Sequence, residues 1–249
     1  MKPFLLISTR PEDVISAEEY ETFRRFTGLD EQRLRQIRLE QGPEASRELA
    51  QTDLDEISGI FVGGSPFTTS TPADRKSAVQ VRVEKDLRAL LDRVMRHGTP
   101  FFGACYGVGT LGVHQGGVVD GTYAEEVGPI RITVTEEGAR DVLLEGMPEQ
   151  FWGYVGHQEA IRDLPEGAVL LATGEDCPVQ MFRVGERAWA TQFHPELDDV
   201  ALLSRIEAYK HHGYFRPEDA AEVRSRVIDG PQADQPRRLL ARFAEVFAR

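Results

Sequence analysis

Only two cysteines, Cys105 and Cys177, occur in the 249 residues. So small a number excludes a disulfide framework and a four-cysteine zinc site, and it fits a reducing compartment. A surplus of cations is missing too: 29 Lys and Arg stand against 41 Asp and Glu, a formal charge of -12 at pH 7. Nucleic-acid and anionic-membrane surfaces need clustered cations, so neither is an expected partner. No apolar run approaches the roughly 20 residues of a membrane span. The stretch Met1–Ser8 passes into charged sequence too soon for a signal peptide, so the expected location is the cytoplasm. Internal repeats and low-complexity tracts are likewise lacking, and a chain of this size can bury one substantial core.

Short β-branched and aromatic runs alternate with helical patterns in the first half, which predicts parallel strands joined by crossover helices. These runs are Phe4–Ile7, Leu34–Leu39, Ile57–Val62 and Pro100–Gly103. Between the last two, Val83, Leu87, Leu90, Leu91 and Val94 repeat at helical spacing and predict one buried helix face over Val83–Met95. Beyond residue 130 the pattern changes to strands with tight turns: Ile130–Val134, Phe151–Val155, Ala168–Ala172, Val179–Val184 and Ala188–Phe193. These predict an antiparallel extension of the sheet. From Asp198 the chain reads as helical, with His211 and His212 at the end of the first helix. Asp229–Pro236 is expected as a loop before a last helix striped by Leu239, Leu240, Phe243, Val246 and Phe247.

The chemistry gathers in three segments. In Gly103-Ala-Cys105-Tyr-Gly107, small residues bracket a cysteine directly after the run Thr99–Gly103. A strand that turns at once into a helix forces the turning residue into a strained conformation, and only small neighbours permit the close packing this requires. The helix N-terminus then favours negative charge at the sulfur. In Thr191-Gln-Phe-His194-Pro-Glu196, an imidazole follows an apolar strand and a carboxylate sits two residues on, the pair needed to move a proton for an attacking sulfur. In Val62-Gly63-Gly64-Ser-Pro66, glycines allow the backbone to approach a carbonyl, so that an N–H there can join that of Tyr106 in holding an oxyanion. One such donor is worth about 3 kcal/mol in a transition state. Each segment also has a plainer reading, as a turn or a strand end, when taken alone.

Together and in this order, the three segments resemble the class I glutamine amidotransferase family. The stretch from Val155-Gly156-His157-Gln158-Glu159 through Leu164–Gly167 and Glu175–Pro178 is also similar to that family's. The resemblance implies a three-layer α/β sandwich of flavodoxin-like type, with a mostly parallel central sheet and an antiparallel extension. It covers residues 1–200, leaving 201–249 as a helical extension packed on the same domain. It further implies that Cys105 attacks a side-chain amide, with His194 as acid and base, Glu196 as its orienting partner, and Gly64 and Tyr106 as oxyanion donors. Gly63, Gly109, Gly156, His157, Gln158 and Glu159 fall at its substrate-binding positions. The implied substrate is a small amide, glutamine or a γ-glutamyl compound, and the ammonia released goes to a separate synthetase or other acceptor. Two positions depart from the family pattern: Gly109 stands where a glutamine is usual, and Gly156 where a serine or asparagine is usual. Losing two polar side chains from the head-group pocket predicts a pocket opened for a larger or differently substituted γ-glutamyl-type amide.

Other readings are weaker. Gly107-Val-Gly109-Thr-Leu-Gly112 fits the G-x-G-x-x-G spacing, but Cys105 already occupies the turn and Gly116–Gly121, before Glu125 and Glu126, reads as a loop. No cofactor is therefore expected. No metal site is evident by spacing, and Cys177 reads as a small structural residue in a turn. The polar stretch Ser65–Lys76 is either a lid over Cys105 or an exposed loop. A degenerate domain that binds a metabolite or partner is the non-enzyme alternative, and a cysteine peptidase is disfavoured by the separate His-Pro-Glu segment.

Overall fold

A computed structural model describes all 249 residues. The strands β1 (Phe4–Ser8), β2 (Leu34–Arg38), β3 (Gly59–Val62) and β4 (Phe101–Ala104) lie side by side in parallel, in the order β2-β1-β3-β4. Helices α1 (Asp13–Thr27), α2 (Pro43–Gln51) and α3 (Ala78–His97) connect them, as parallel neighbours require. Of these, α3 matches the expected apolar stripe: Val83, Leu87, Leu90, Leu91 and Val94 are all buried. Its ends carry the usual devices. The Ser77 side chain accepts from the Gln80 N–H, and Gly98 closes the C-terminus in the left-handed region.

After β4 come α4 (Tyr106–His114), β5 (Val118–Asp120) and β6 (Glu125–Val134), followed by β7 (Gln150–His157), β8 (Ala160–Asp163) and β9 (Val169–Gly174). The last strands are β10 (Met181–Val184) and β11 (Ala188–Thr191). The nine-stranded sheet continues β4-β11-β10-β9-β6-β7, with every pairing beyond β11 antiparallel. Three sequence expectations are corrected here. The run Ala188–Phe193, expected in the antiparallel part, is antiparallel only to β10; as β11 it also pairs in parallel with β4, because a tight turn at Gly185 returns the chain from β10 to the open side of the parallel half. The stretch Gly116–Gly121 is not wholly loop: Val118–Asp120 pairs with β8 in a separate two-stranded sheet that rests on α4. Strand β6 begins at Glu125 rather than Ile130, because Glu125, a poor strand former on paper, is taken up by buried polar partners.

Three helices close the chain: α5 (Asp199–Ala208), α6 (Ala220–Ile228) and α7 (Arg237–Phe247). Helix α5 starts where the Asp198 side chain accepts from the Ala201 N–H, but it stops at Ala208, so His211 and His212 lie in the following turns rather than at a helix end. Helix α7 packs on α1, and Phe243 enters one of the two large cores, among Phe4, Phe61, Phe102 and Trp189. A fully buried aromatic side chain contributes about 3 kcal/mol, so α7 is a part of that core. A smaller cluster joins Leu197, Ala201, Leu202, Ile206, Val223 and Val227 to Val127 and Tyr154, and it seats α5 and α6 over one end of the sheet.

Candidate active site

Five parallel strands end at the same edge of the sheet, and four of them carry the candidate site. This is where open α/β sheets place ligands, beyond the carboxyl ends of their strands. Strand β1 delivers Ser8, Thr9 and Arg10, β3 delivers Gly63 and Gly64, β4 delivers Cys105, and β11 delivers Gln192, Phe193 and His194.

Cys105 joins β4 to α4 with φ 50° and ψ -91°, and no other non-glycine residue has a positive φ. Such a conformation costs about 1–3 kcal/mol and persists only where its surroundings enforce it. Here the Cys105 N–H donates to the Thr191 carbonyl at 2.7 Å, and its own carbonyl accepts from the Val108 N–H at 2.9 Å. Gly103 completes the turn. A Cβ there would stand 2.8 Å from the Gly107 Cα, so strand and helix approach more closely than any side chain allows.

His194 and Glu196 lie beside the elbow, both buried. The imidazole Nδ1 and the Glu196 Oε1 are 2.6 Å apart. Burial disfavours the imidazolium, but the charge of Glu196, and after it that of the Cys105 sulfur, outweighs this and holds the His194 pKa up at about 10. Burial likewise works against the Glu196 carboxylate, yet the His194 cation and then Arg205 keep it below the ordinary range. The arrangement holds a proton on an imidazole facing a sulfur. Gly64 lies against the same ring: a Cβ there would be 3.0 Å from the His194 Cε1. No backbone hydrogen bond outside the helices and strands uses the Gly64 N–H, and the Tyr106 N–H opens α4, where an intrahelical acceptor is lacking. Gly63 is required by a buried carboxylate, since its Cβ would fall 2.7 Å from Glu19.

Two hollows meet at Cys105. One, here called the cleft, is bounded by Tyr106, Gly109, the turn Gly156–Ala160, and Ser65, Phe67 and Thr68. The other, the cavity, is bounded by His194, Arg10 and Arg205, with Tyr209 and Tyr214 from the turns after α5. Sequence reasoning did not find these last four residues, because none belongs to a local motif. The structure brings Gly109, Gly156, His157, Gln158 and Glu159 to the cleft.

The room expected at the two departures is not open. A Cβ on Gly109 would lie 2.6 Å from the Thr69 Oγ1, and one on Gly156 would lie 2.9 Å from the Val127 Cγ2. The segment Ser65–Lys76 thus folds inward over Gly109. It is latched by Glu159, whose two carboxylate oxygens accept from the Thr69 and Ser70 N–H groups at 2.5 and 2.6 Å. His157 is held away from Cys105. Its Nε2 is 2.8 Å from Glu125 Oε2 and its Nδ1 is 3.0 Å from the Glu159 carbonyl.

Glu125, His157 and Cys177 form a group that spacing did not anticipate, with one ligand atom from each lying within 4.8 Å of the others. These are the side chains whose donor set could hold a cation. Their present contacts are hydrogen bonds: the Gln180 Nε2 donates to Glu125 at 2.6 Å, and burial, followed by the Glu125 charge, pushes the Cys177 thiol up to about 12. Both cysteines are free. Gly107, Gly109 and Gly112 all lie within α4 rather than in a turn ahead of a helix, so the dinucleotide spacing lacks its required geometry.

The model of the family described as glutamine amidotransferase class-I matches residues 31–200, and the chain belongs to that family. Among curated relatives, the GMP synthase [glutamine-hydrolyzing] of Porphyromonas gingivalis is 36% identical over 148 residues, covering 58% of this chain and 26% of that protein. The Streptomyces avermitilis protein of the same name is 36% identical over 109 residues, covering 43% and 20%. The chain therefore matches about a quarter or less of these relatives' length. A solved glutamine amidotransferase from Thermotoga maritima shares the fold with a TM-score of 0.74 at 19% identity, over 98% of this chain and 97% of that one. A glutamine amido transferase from Methylobacillus flagellatus gives a TM-score of 0.68 at 16% identity, over 100% and 96%. No helix is long and apolar enough to cross a membrane.

Proposed function

We propose that the protein hydrolyses glutamine or a γ-glutamyl-type side-chain amide through a thioester on Cys105. The observation that carries this reading is the strained Cys105 elbow facing a buried His194–Glu196 pair in a chain of this family. The sulfur attacks the amide carbon, and the oxyanion is received by the Gly64 and Tyr106 N–H groups. His194 gives its proton to the leaving nitrogen, and the C–N bond breaks. Water then attacks the thioester, His194 takes a proton from it, and the carboxylic acid leaves as the sulfur is restored. Glu196 stabilises the imidazolium and fixes its orientation. Gly109, Gly156, His157, Gln158 and Glu159 shape the acyl side of the site in this reading, whereas Gly63, packed on Glu19, lines neither hollow; the ammonia released passes to a separate acceptor enzyme in the cytoplasm. The relatives' printed name, glutamine-hydrolyzing, supports the choice of substrate class.

A second reading is a catalytically weak domain that binds a metabolite or partner. It is favoured by Thr69 and Val127 occupying the space beside Gly109 and Gly156. Labelling with a γ-glutamyl chloroketone separates the two. The proposed activity requires Cys105 to be alkylated while buried Cys177 stays unmodified, and amide hydrolysis to vanish in Cys105→Ala. Equal, slow labelling of both thiols would leave only the binding reading.

A further inference from the structure

The cavity on the His194 side of Cys105 has a chemistry that ammonia release does not use. Cys105 lines both hollows, but His194 lines only the cavity, and Tyr106 and Gly109 line only the cleft. The acid that protonates a leaving nitrogen must lie next to it. In the reading proposed above, on which this inference rests, the acyl chain therefore occupies the cleft and whatever the nitrogen carries extends into the cavity.

Two arginines wait there. Arg10 is 3% exposed; its Nε is 2.7 Å from the Glu19 Oε1 and its Nη1 donates to the Tyr209 hydroxyl at 3.2 Å, while no hydrogen bond engages its Nη2. Arg205 is 5% exposed; its Nη1 donates to the Ala201 carbonyl at 3.0 Å, and its Nε and Nη2 are buried without an acceptor. The nearest other carboxylate to Arg205, on Glu18, stands 3.9 Å away. A guanidinium presents its donors as a planar fork suited to a carboxylate, and a buried one with unused donors is costly unless something completes it. The free space in the cavity is about 50 Å³, enough for roughly three to five waters or for one carboxylate on a short stem.

We infer that the cavity receives the carboxylate of an amino-acid leaving group, held by Arg205 with Arg10 Nη2, so that the preferred substrates are γ-glutamyl amino acids rather than glutamine. The reaction consumes one water: the γ-amide C–N bond breaks, the acyl group passes to sulfur and then to water, and the amino acid departs with the proton from His194. Ammonia from glutamine leaves the arginines unserved.

The test compares γ-glutamyl-alanine, γ-glutamyl-alaninamide and glutamine on the wild-type protein and on Arg205→Gln. The carboxylate-bearing substrate is expected to show a kcat/KM at least about tenfold above that of its amide twin, the scale of one charge-assisted hydrogen bond. That ratio should fall towards one in Arg205→Gln. The wild-type comparison needs no variant to fold. Equal kcat/KM for acid and amide in the wild type, or an unchanged ratio in a folded Arg205→Gln, overturns the inference and leaves amide hydrolysis standing. Failure to cleave any of the three substrates overturns both.

Discussion

Restoring the family's glutamine at position 109 puts the closed cleft to a direct test. A side chain there begins with a Cβ 2.6 Å from the Thr69 Oγ1 and 3.2 Å from its Cβ. The first distance cannot stand and the second is tight, and the Thr69 backbone cannot retreat freely because its N–H is held by Glu159, so relief must come from rotation of the Thr69 side chain. Overpacking of this kind costs about 1–3 kcal/mol. Replacing a glycine inside α4 by a better helix former returns up to about 1 kcal/mol. Taking the middle of that range and the full return, the net expectation for Gly109→Gln is a loss of about 1 kcal/mol, which for a chain of this size lowers Tm by about 2–4 °C. If Thr69 is the obstacle, Thr69→Gly should rescue the loss. A double-mutant cycle read by thermal unfolding should then give a favourable coupling of about 1 kcal/mol or more. A Gly109→Gln protein with unchanged or higher Tm, or a cycle without coupling, would refute the claim that the loop after Ser65 fills this position.

Gly103→Ala meets backbone rather than a side chain, since the new Cβ lies 2.8 Å from the Gly107 Cα. It should therefore cost at least about 2 kcal/mol and cut the rate of Cys105 acylation about 100-fold by displacing the sulfur, measured by unfolding and by labelling kinetics; acylation at the wild-type rate would contradict the argument. The His194–Glu196 pair gives a pH signature. The His194 pKa is raised from 6.5 to about 10 in the fold, so its contribution is complete below pH 6.5 and is lost as the pH climbs towards 10; that of Glu196, held low, is complete above about 4.5 and is lost as the pH falls. The stability of the wild type over Glu196→Gln should accordingly be greatest between about pH 4.5 and 6.5, and an advantage that grows from pH 7 to 10 would show the sign to be wrong.

What could be read beforehand follows from how local each feature is. The elbow, the glycine pair and the His-Pro-Glu segment are short because each is set by its own backbone, and strands such as Phe4–Ser8 declare themselves by composition. The direction of β11 was not legible, because nothing within Ala188–Thr191 says which neighbour it will join; that depends on the turn at Gly185 and on the free edge of β4. Glu125 in a strand was equally hidden, since its partners His157 and Gln180 lie 32 and 55 residues away. The cavity was invisible for the same reason. Arg10 and Tyr209 are 199 residues apart, and only packing brings them together. Position 109 is instructive in the other direction. The missing side chain is legible in the sequence, but an open pocket does not follow from it, because Thr69, from another segment, fills the space.

One ladder positions both partners of the proposed reaction. Strand β11 pairs with β4 so that Thr191 stands beside Ala104, and the next residue of each strand leaves the sheet at the same end. On β4 that residue is Cys105, whose strained backbone is held by a hydrogen bond to Thr191 itself. On β11 the chain runs on through Gln192, whose N–H donates to the Gln180 carbonyl at 2.8 Å, to His194, whose N–H donates to the Tyr154 carbonyl at 2.9 Å. The separation of sulfur and imidazole is thereby set by strand register, with Gln180 and Tyr154 of the intervening antiparallel excursion anchoring the residues that follow β11. A slip of one residue would turn His194 to the other face of the sheet. Other residues of that excursion are free to shape the cleft, as Glu159 does by latching the loop after Ser65. The segment after α5 is free to shape the cavity, through Tyr209 and Tyr214. Change of substrate within such a fold therefore needs no change in the ladder, only in the two walls that meet at Cys105.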